Sequence, residues 1–152
     1  MSHLYGIYPA ELIKEGTPEF EAAKKSLDYR TDHLGENNAF LGWVNVWRAG
    51  LYSVFGDREG FYQCIMDLFH YSICDNMLDA IKPRFQIDGN LGFLGVICNM
   101  LASERDGKLE LLHALPKELA NGEVRGLRLK GKRSIDIKWS EGKLQSYTIS
   151  EL

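Results

Sequence analysis

The sequence predicts an α+β chain, with helices first and a small antiparallel sheet after them. Three observations carry this. Apolar residues before about residue 105 recur with helical spacing. After "SERDG" they alternate with polar ones at a period of two. The chain has 152 residues, the size of one ordinary domain or of a helical block with a small appendage.

Thr17-Pro18 reads as a helix start, a hydroxyl cap followed by proline at the first helical position, where a missing N–H costs nothing. That helix runs to about Tyr29 and meets the polar turn "TDHLGENN". "FLGWVNVWRAGLYSVF", Phe40 to Phe55, is apolar on nearly every side. Trp43, Trp47, Leu51 and Phe55 form an i, i+4 stripe, while Val44, Val46, Ala49 and Tyr52 cover the other faces. A helix apolar all round is a buried one. Gly56-Asp57 ends it and caps the next helix, which carries Phe61, Cys64, Ile65, Leu68 and Phe69 on one face. The pattern breaks around Pro83, and a last helix is expected from about Leu91 to Ala102.

"KLELLHAL", "EVRGLRLK", "RSIDIKWS" and "KLQSYTI" then read as four short strands. In the third, Ile135, Ile137 and Trp139 alternate with Asp136 and Lys138, and "SEGK" supplies the glycine of a tight hairpin between the last two. The expected division is residues 1–105 and 106–152, with strand pairing beginning after Asp106. So small a sheet is marginal alone. The Phe40–Phe55 helix also asks for more neighbours than the other elements provide. The helical part is therefore expected to be a piece of a larger helical assembly.

Composition excludes several function classes. Apolar residues make up 45% and charged residues 26%, a soluble balance. A net charge of −3 and a pI near 5.8 argue against a nucleic-acid or anionic-membrane surface. Lys130, Lys132 and Arg133 read as a solvated hairpin edge. Cys64, Cys74 and Cys98 show no metal spacing and are odd in number, a poor disulfide framework. Cys64 and Cys98 lie in apolar runs and are expected to be buried thiols. No metal or cofactor is expected. "MSHLYGIYPA" lacks the basic start and apolar core of a signal peptide, and no apolar stretch approaches the roughly 20 residues that span a bilayer.

Candidate chemistry centres on "KPRFQIDGNLGFLG", Lys82 to Gly95. "IDGN" is a turn signal. Spacing alone leaves Asp88 as either a helix cap or a working carboxylate, with Asn90 as the other candidate cap. Gly89, Gly92 and Gly95 read as close helix contacts rather than a phosphate loop. Asp75, Asn76 and Asp79 miss the calcium-loop pattern and read as caps and a solvated face. The histidines come with no nucleophile motif, so a hydrolytic triad is not expected.

Several stretches taken together resemble one family. "SHLYGIYP", the tryptophan pair Trp43 and Trp47, Gly56-Asp57, "NMLDA", "FQIDGN", "LLHALPKEL" and "GEVRGLRLKG" with "DIKW" occur in the order found in glycoside hydrolase family 95, the inverting α-L-fucosidases. The resemblance covers Ser2 to about Leu144. It implies that the helices are the last ones of an (α/α)6 toroid, followed by the C-terminal β-domain. It also implies that Asp88 is the general base, activating a water that attacks the anomeric carbon. His3, Trp43, Gln86 and Asn90 become candidate sugar-binding residues. For Trp43 a core role stays open beside sugar stacking. For Gln86 and Asn90, holding loop backbone stays open beside contact with base or sugar.

An inverting enzyme also needs an acid across the scissile bond. The resemblance puts that glutamate, and the asparagines that assist the base, upstream of the matched stretch. In the family the first motif resembles Arg-His-x-Ser-His-Leu, with Met1 here at x. The expectation is thus a truncated reading frame, partnered by a fucosylated glycan and either by itself or by the missing N-terminal barrel segment. The alternative is a non-catalytic carbohydrate-binding or interaction module. Val44, Arg84, Phe93 and His113 depart from the family pattern.

Overall fold

The computed structural model describes residues 2–33, 41–81 and 84–152. A short 3-10 turn, Ser2–Leu4, leads into helix α1, Pro18–Asp32. Thr17 caps it as expected, its Oγ1 accepting from the Phe20 N–H at 3.3 Å. The helix runs past Tyr29, because Thr31 stays in the last turn and accepts from the Tyr52 hydroxyl at 2.8 Å. The rest of the polar turn, Phe40, Met1 and the Pro83 break lie outside the described residues.

Helix α2, Gly42–Val54, is the buried one. Ala49 and Leu51 have no exposed surface, and Val44, Val46 and Tyr52 have little. Asp57 caps helix α3, Arg58–Asp67, by accepting from the Gly60 N–H at 2.9 Å. Phe61, Cys64 and Leu68 turn inward, and α3 runs on into a π-helical turn, Leu68–Ser72. A minimal hairpin, β1 (Ala80–Ile81) with β2 (Arg84–Phe85), precedes helix α4, Ile87–Leu101.

Helix α4 starts at Ile87 rather than near Leu91, so neither Asp88 nor Asn90 is its cap. The cap residue is Gln86, whose side chain makes no capping bond. The helix can begin early because a carboxylate from outside it, that of Asp79, accepts the Gly89 N–H.

Strand pairing also starts earlier than the spacing predicted: besides the β1–β2 hairpin, it resumes after α4 at Ala102 rather than after Asp106. Strand β3 (Ala102–Arg105) pairs antiparallel with β4 (Lys108–Leu111), and Asp106-Gly107, both at positive φ, is the tip of that hairpin. "ASER" carries no alternating apolar residues, so nothing local marked it as a strand. The four expected strands therefore do not form one sheet. Strand β4 belongs to this hairpin, and a separate three-stranded sheet has the order β5 (Gly122–Leu129), β6 (Arg133–Ser140), β7 (Lys143–Glu151).

In β6 the predicted alternation holds, with Ile135, Ile137 and Trp139 buried and Asp136 and Lys138 exposed. Glu141 and Gly142 both take positive φ in the β6–β7 turn, as a tight hairpin requires. Lys130 and Arg133 sit around the β5–β6 turn, as expected, and pair with Glu11 and Glu104.

One continuous apolar core joins the two parts. It runs from Leu4, Leu27 and Phe61 through Val96 and Met100 to Leu115, Ile135 and Ile137. Glycine makes the contact between α2 and α4: a Cβ at Gly92 would lie 2.5 Å from Val46 Cγ2. By contrast Gly95 has open space around it, so only part of the glycine series serves packing. Cys98 is exposed, against expectation, because it lies on the uncovered side of α4.

Gly92→Ala is expected to overpack this contact and to destabilise the chain by about 1–3 kcal/mol. Val46→Ala in the same chain should recover part of the loss. Urea unfolding of both single variants and the double variant checks this, and strictly additive losses would show that the two residues are not in contact.

Candidate functional site

The site is built around the first turn of α4. Its backbone is tied to a single residue, Asp79, which lies just before β1. The Asp79 carbonyl accepts from the Gln86 N–H at 2.9 Å. Its carboxylate Oδ2 accepts from the Gly89 N–H at 2.9 Å, and its own N–H donates to Asn90 Oδ1 at 2.8 Å. Asn90 Nδ2 donates to the Met77 carbonyl at 2.8 Å.

Asp79 has 0% of its surface exposed. The expectation of a solvated face is therefore wrong for this residue. An acid inside the apolar run "MLDAI" was the available sign of burial, but its partners lie in other elements. Glycine makes its room: a Cβ at Gly42 or at Gly89 would fall on the carboxylate. The carboxylate is thus wedged between the starts of α2 and α4. Its Oδ1 has no hydrogen-bond partner. Burial pushes the Asp79 carboxyl above the ordinary range, the Gly89 N–H pulls it part of the way back, the charge of Asp88 adds to the rise, and the Ala80 N–H offsets a little more of it.

Asp88 itself is exposed, in the first helical turn, where a carboxylate is electrostatically favourable. It accepts no hydrogen bond from the described residues, while the residues around it are held. Asn90 spends its amide on the backbone of Met77 and Asp79. Gln86 is half-buried, with Oε1 unpartnered.

Trp43 is half-buried at the start of α2, next to the Gly42 that packs on Asp79, and its ring centroid is 6.1 Å from that of Trp47. Trp47 donates from Nε1 to the Tyr8 carbonyl at 2.9 Å. Gln86, Asp88, Asn90 and the start of α2 that bears Trp43 are therefore brought to one place. His3 is engaged elsewhere. It is exposed, and its Nε2 bonds Ser26 Oγ of α1 at 2.9 Å. Partial desolvation, with the charge of Arg30 adding to it, lowers its pKa.

If the helices are a piece of a larger assembly, apolar surface should stay open around Trp43, Trp47 and Phe69; of these Phe69 is exposed, and Trp43 and Trp47 are half-buried. Trp47 packs on the core and Phe69 stacks edge-on against Phe93 at 5.2 Å. A further open stripe lies on α4 beside Asp88, with Ile87 at 50%, Leu91 at 62% and Leu94 at 61% exposure. Among the described residues no cluster of metal-ligating side chains occurs, and no helix is long and apolar enough to cross a membrane.

Helices that leave apolar side chains open beside an exposed carboxylate, with small antiparallel sheets behind them, make this an α+β chain. Residues 1–101 match the family model described as the glycosyl hydrolase family 95 catalytic domain, and residues 103–152 match that of the glycoside hydrolase family 95 C-terminal domain. The chain belongs to glycoside hydrolase family 95. It is 32% identical to Alpha-L-fucosidase 2 of Arabidopsis thaliana, over 97% of this chain and 18% of that protein. It is 28% identical to Probable alpha-fucosidase A of Aspergillus niger, over 93% of this chain and 20% of that protein. The protein of the same name from Aspergillus oryzae is 29% identical over 93% of this chain and 22% of its own length. The chain thus spans about a fifth of the length of the curated relatives it matches.

A buried carboxyl with a raised pKa has a definite signature. Its contribution to stability is complete below the unfolded value of 3.8 and is lost as pH rises through the folded value, because the ionised form is the one burial penalises. Asparagine does not titrate. The stability of the native chain minus that of Asp79→Asn should therefore fall as the pH is raised from strongly acid to neutral, read by urea unfolding at a series of pH values. A difference that stays flat or rises would show that burial does not raise the Asp79 carboxyl.

Proposed function

We propose that this chain is the base-bearing end of an inverting, α-L-fucosidase-like glycosidase acting on fucosylated glycans, with Asp88 as the general base. The observation that carries the reading is the contrast within one helical turn. Gln86, Gly89 and Asn90 are fastened to Asp79 by hydrogen bonds, and Asp88 between them is left exposed. A base needs a fixed backbone and a carboxylate free to take a proton from water.

In an inverting reaction the water lies between base and sugar, and a carboxylic acid protonates the leaving oxygen roughly 6.5–9.5 Å from the base. Family resemblance puts that acid in a part of the catalytic domain that precedes the stretch matched here. Asp88 would take the proton of the attacking water as its oxygen bonds to the anomeric carbon. Trp43 and Gln86, at the same end of α2 and α4, are the sugar-contacting candidates nearest to it. Asn90 acts through the backbone it holds, and His3, bonded to Ser26 of α1, stands apart from this group.

The open stripe Ile87, Leu91, Leu94 is the surface on which the rest of the catalytic domain would pack. Exposed apolar patches of this kind become interfaces. In isolation the chain is expected to self-associate in a concentration-dependent way by analytical ultracentrifugation, and Leu91→Lys with Leu94→Lys should shift it toward monomer. A native chain that stays monomeric at high concentration would remove the stripe as an interface.

The catalytic reading is tested on an activated α-L-fucoside. The chain alone should show no turnover, because it supplies only the base. Combined with the N-terminal portion of a family catalytic domain it should turn over, and Asp88→Asn in that assembly should lower the rate by about 10²- to 10⁴-fold with the melting temperature unchanged. Full activity in that variant would remove Asp88 from the reaction. Glycan binding without any turnover in the assembly would favour a carbohydrate-binding module instead.

A further inference from the structure

We propose that Asp79 is the positioning residue for Asp88, a buried carboxylate that sets where the first turn of α4 begins and so where Asp88 stands. This rests on the reading of Asp88 as the base; the experiment below does not.

Helix α4 has no side-chain cap of its own, since Gln86 makes no capping bond. A first turn without a cap frays. Asp79 supplies the missing acceptor through space, taking the Gly89 N–H into Oδ2, and its backbone holds the turn from both sides through Gln86 N and Asn90 Oδ1. Every one of these bonds goes to a residue within two positions of Asp88, and none goes to Asp88. The Asp88 carboxylate is thereby oriented without being occupied.

The wedge is defined from α2 as well. A Cβ at Gly42 would clash with Asp79 Oδ2, so the carboxylate fits there only against a glycine. Asp79 therefore fixes the start of α4 relative to the start of α2, where Trp43 stands. A base misplaced by about 1 Å can cost about 10²-fold in rate, so a rigid link between these two helix ends has a direct use.

The chemistry of Asp79 fits positioning better than stability. A residue kept only for the fold would have both oxygens satisfied or would be neutral. Here Oδ1 is buried and makes no well-formed hydrogen bond, with only the Ala80 N–H to ease the carboxylate's charge beside Gly89, and unsatisfied buried polar atoms are costly. A stability cost retained next to an exposed working group is the pattern of a functional device.

The test uses the 152-residue chain as it stands. Amide hydrogen exchange and resonance positions are measured by NMR for the native chain, Asp79→Asn and Asp79→Leu. Asparagine keeps one acceptor oxygen without the charge, and leucine keeps neither. In Asp79→Asn the Gly89 amide is expected to exchange about tenfold faster, since a neutral acceptor replaces a charged one. The amides of Ala49 and Leu51 in α2 should be unchanged, and the signals of Asp88 should move. Asp79→Leu should lose Gly89 protection further; if that variant does not fold, the asparagine variant decides. Gly89 protection that is unchanged, or that falls only in step with Ala49 and Leu51, would overturn the proposal, because the residue would then serve global stability alone. Loss of Asp88 as the base, judged from turnover, would leave this exchange result untouched.

Discussion

Covering α2 is the constraint that the other elements meet. It has almost no exposed face, so each neighbour is shaped to it. Gly92 of α4 lets Val46 approach, Gly60 of α3 lets the Tyr52 ring approach, and the N-terminal segment lays Tyr8 over Gly50. Polar groups then secure what packing brings close, with Tyr52 bonded to Thr31 of α1 and Trp47 to the Tyr8 carbonyl. Glycines recur at these crossings because two helices can approach closely only where one has no side chain. The chain is held by a few narrow contacts around one helix, and each is sensitive to a single added carbon.

The same helix organises the candidate site. Its first residue, Gly42, is one wall of the slot that holds Asp79, and Gly89 of α4 is the other. The position of the α4 start is therefore inherited from α2 through a carboxylate rather than through apolar packing. A hydrogen-bonded carboxylate is directional where dispersion is not. This orders the backbone beside Asp88 while the α4 surface around Asp88 stays open. The open stripe and the exposed acid lie next to each other on the helix surface.

The β-unit serves the helices from behind. Ile135, Ile137 and Trp139 present one apolar face to the core, and Gly122 leaves space for the Trp139 ring, whose Nε1 donates to the Leu119 carbonyl at 2.7 Å. Glu104 in the β3–β4 hairpin pairs with Arg133, and Lys130 donates to the Glu104 carbonyl, which ties the two β-units together. The covered face of the sheet continues onto β7, where Tyr147 and Ile149 lie opposite Ile137 and Ile135 but remain exposed. The core thus ends within the sheet.

The sequence by itself determined the order of helices and strands, the caps at Thr17 and Asp57, the buried character of α2, the alternation in β6 and the family pattern that singles out Asp88. All of these are local: a cap acts over three residues, a strand repeats every two, and a motif is contiguous. Only the tertiary structure decided that α4 starts at Ile87, that Asp79 is buried, that "ASER" is a strand, and that α4 leaves Ile87, Leu91 and Leu94 open. Each of these depends on a partner distant in the chain. The carboxylate of Asp79 becomes a cap only when Gly42 and Gly89 make room for it, and Ala102–Arg105 becomes a strand only when Lys108–Leu111 folds back on it. Periodicity reports what a segment can bury; which side is buried is fixed by the elements that arrive from elsewhere in the chain.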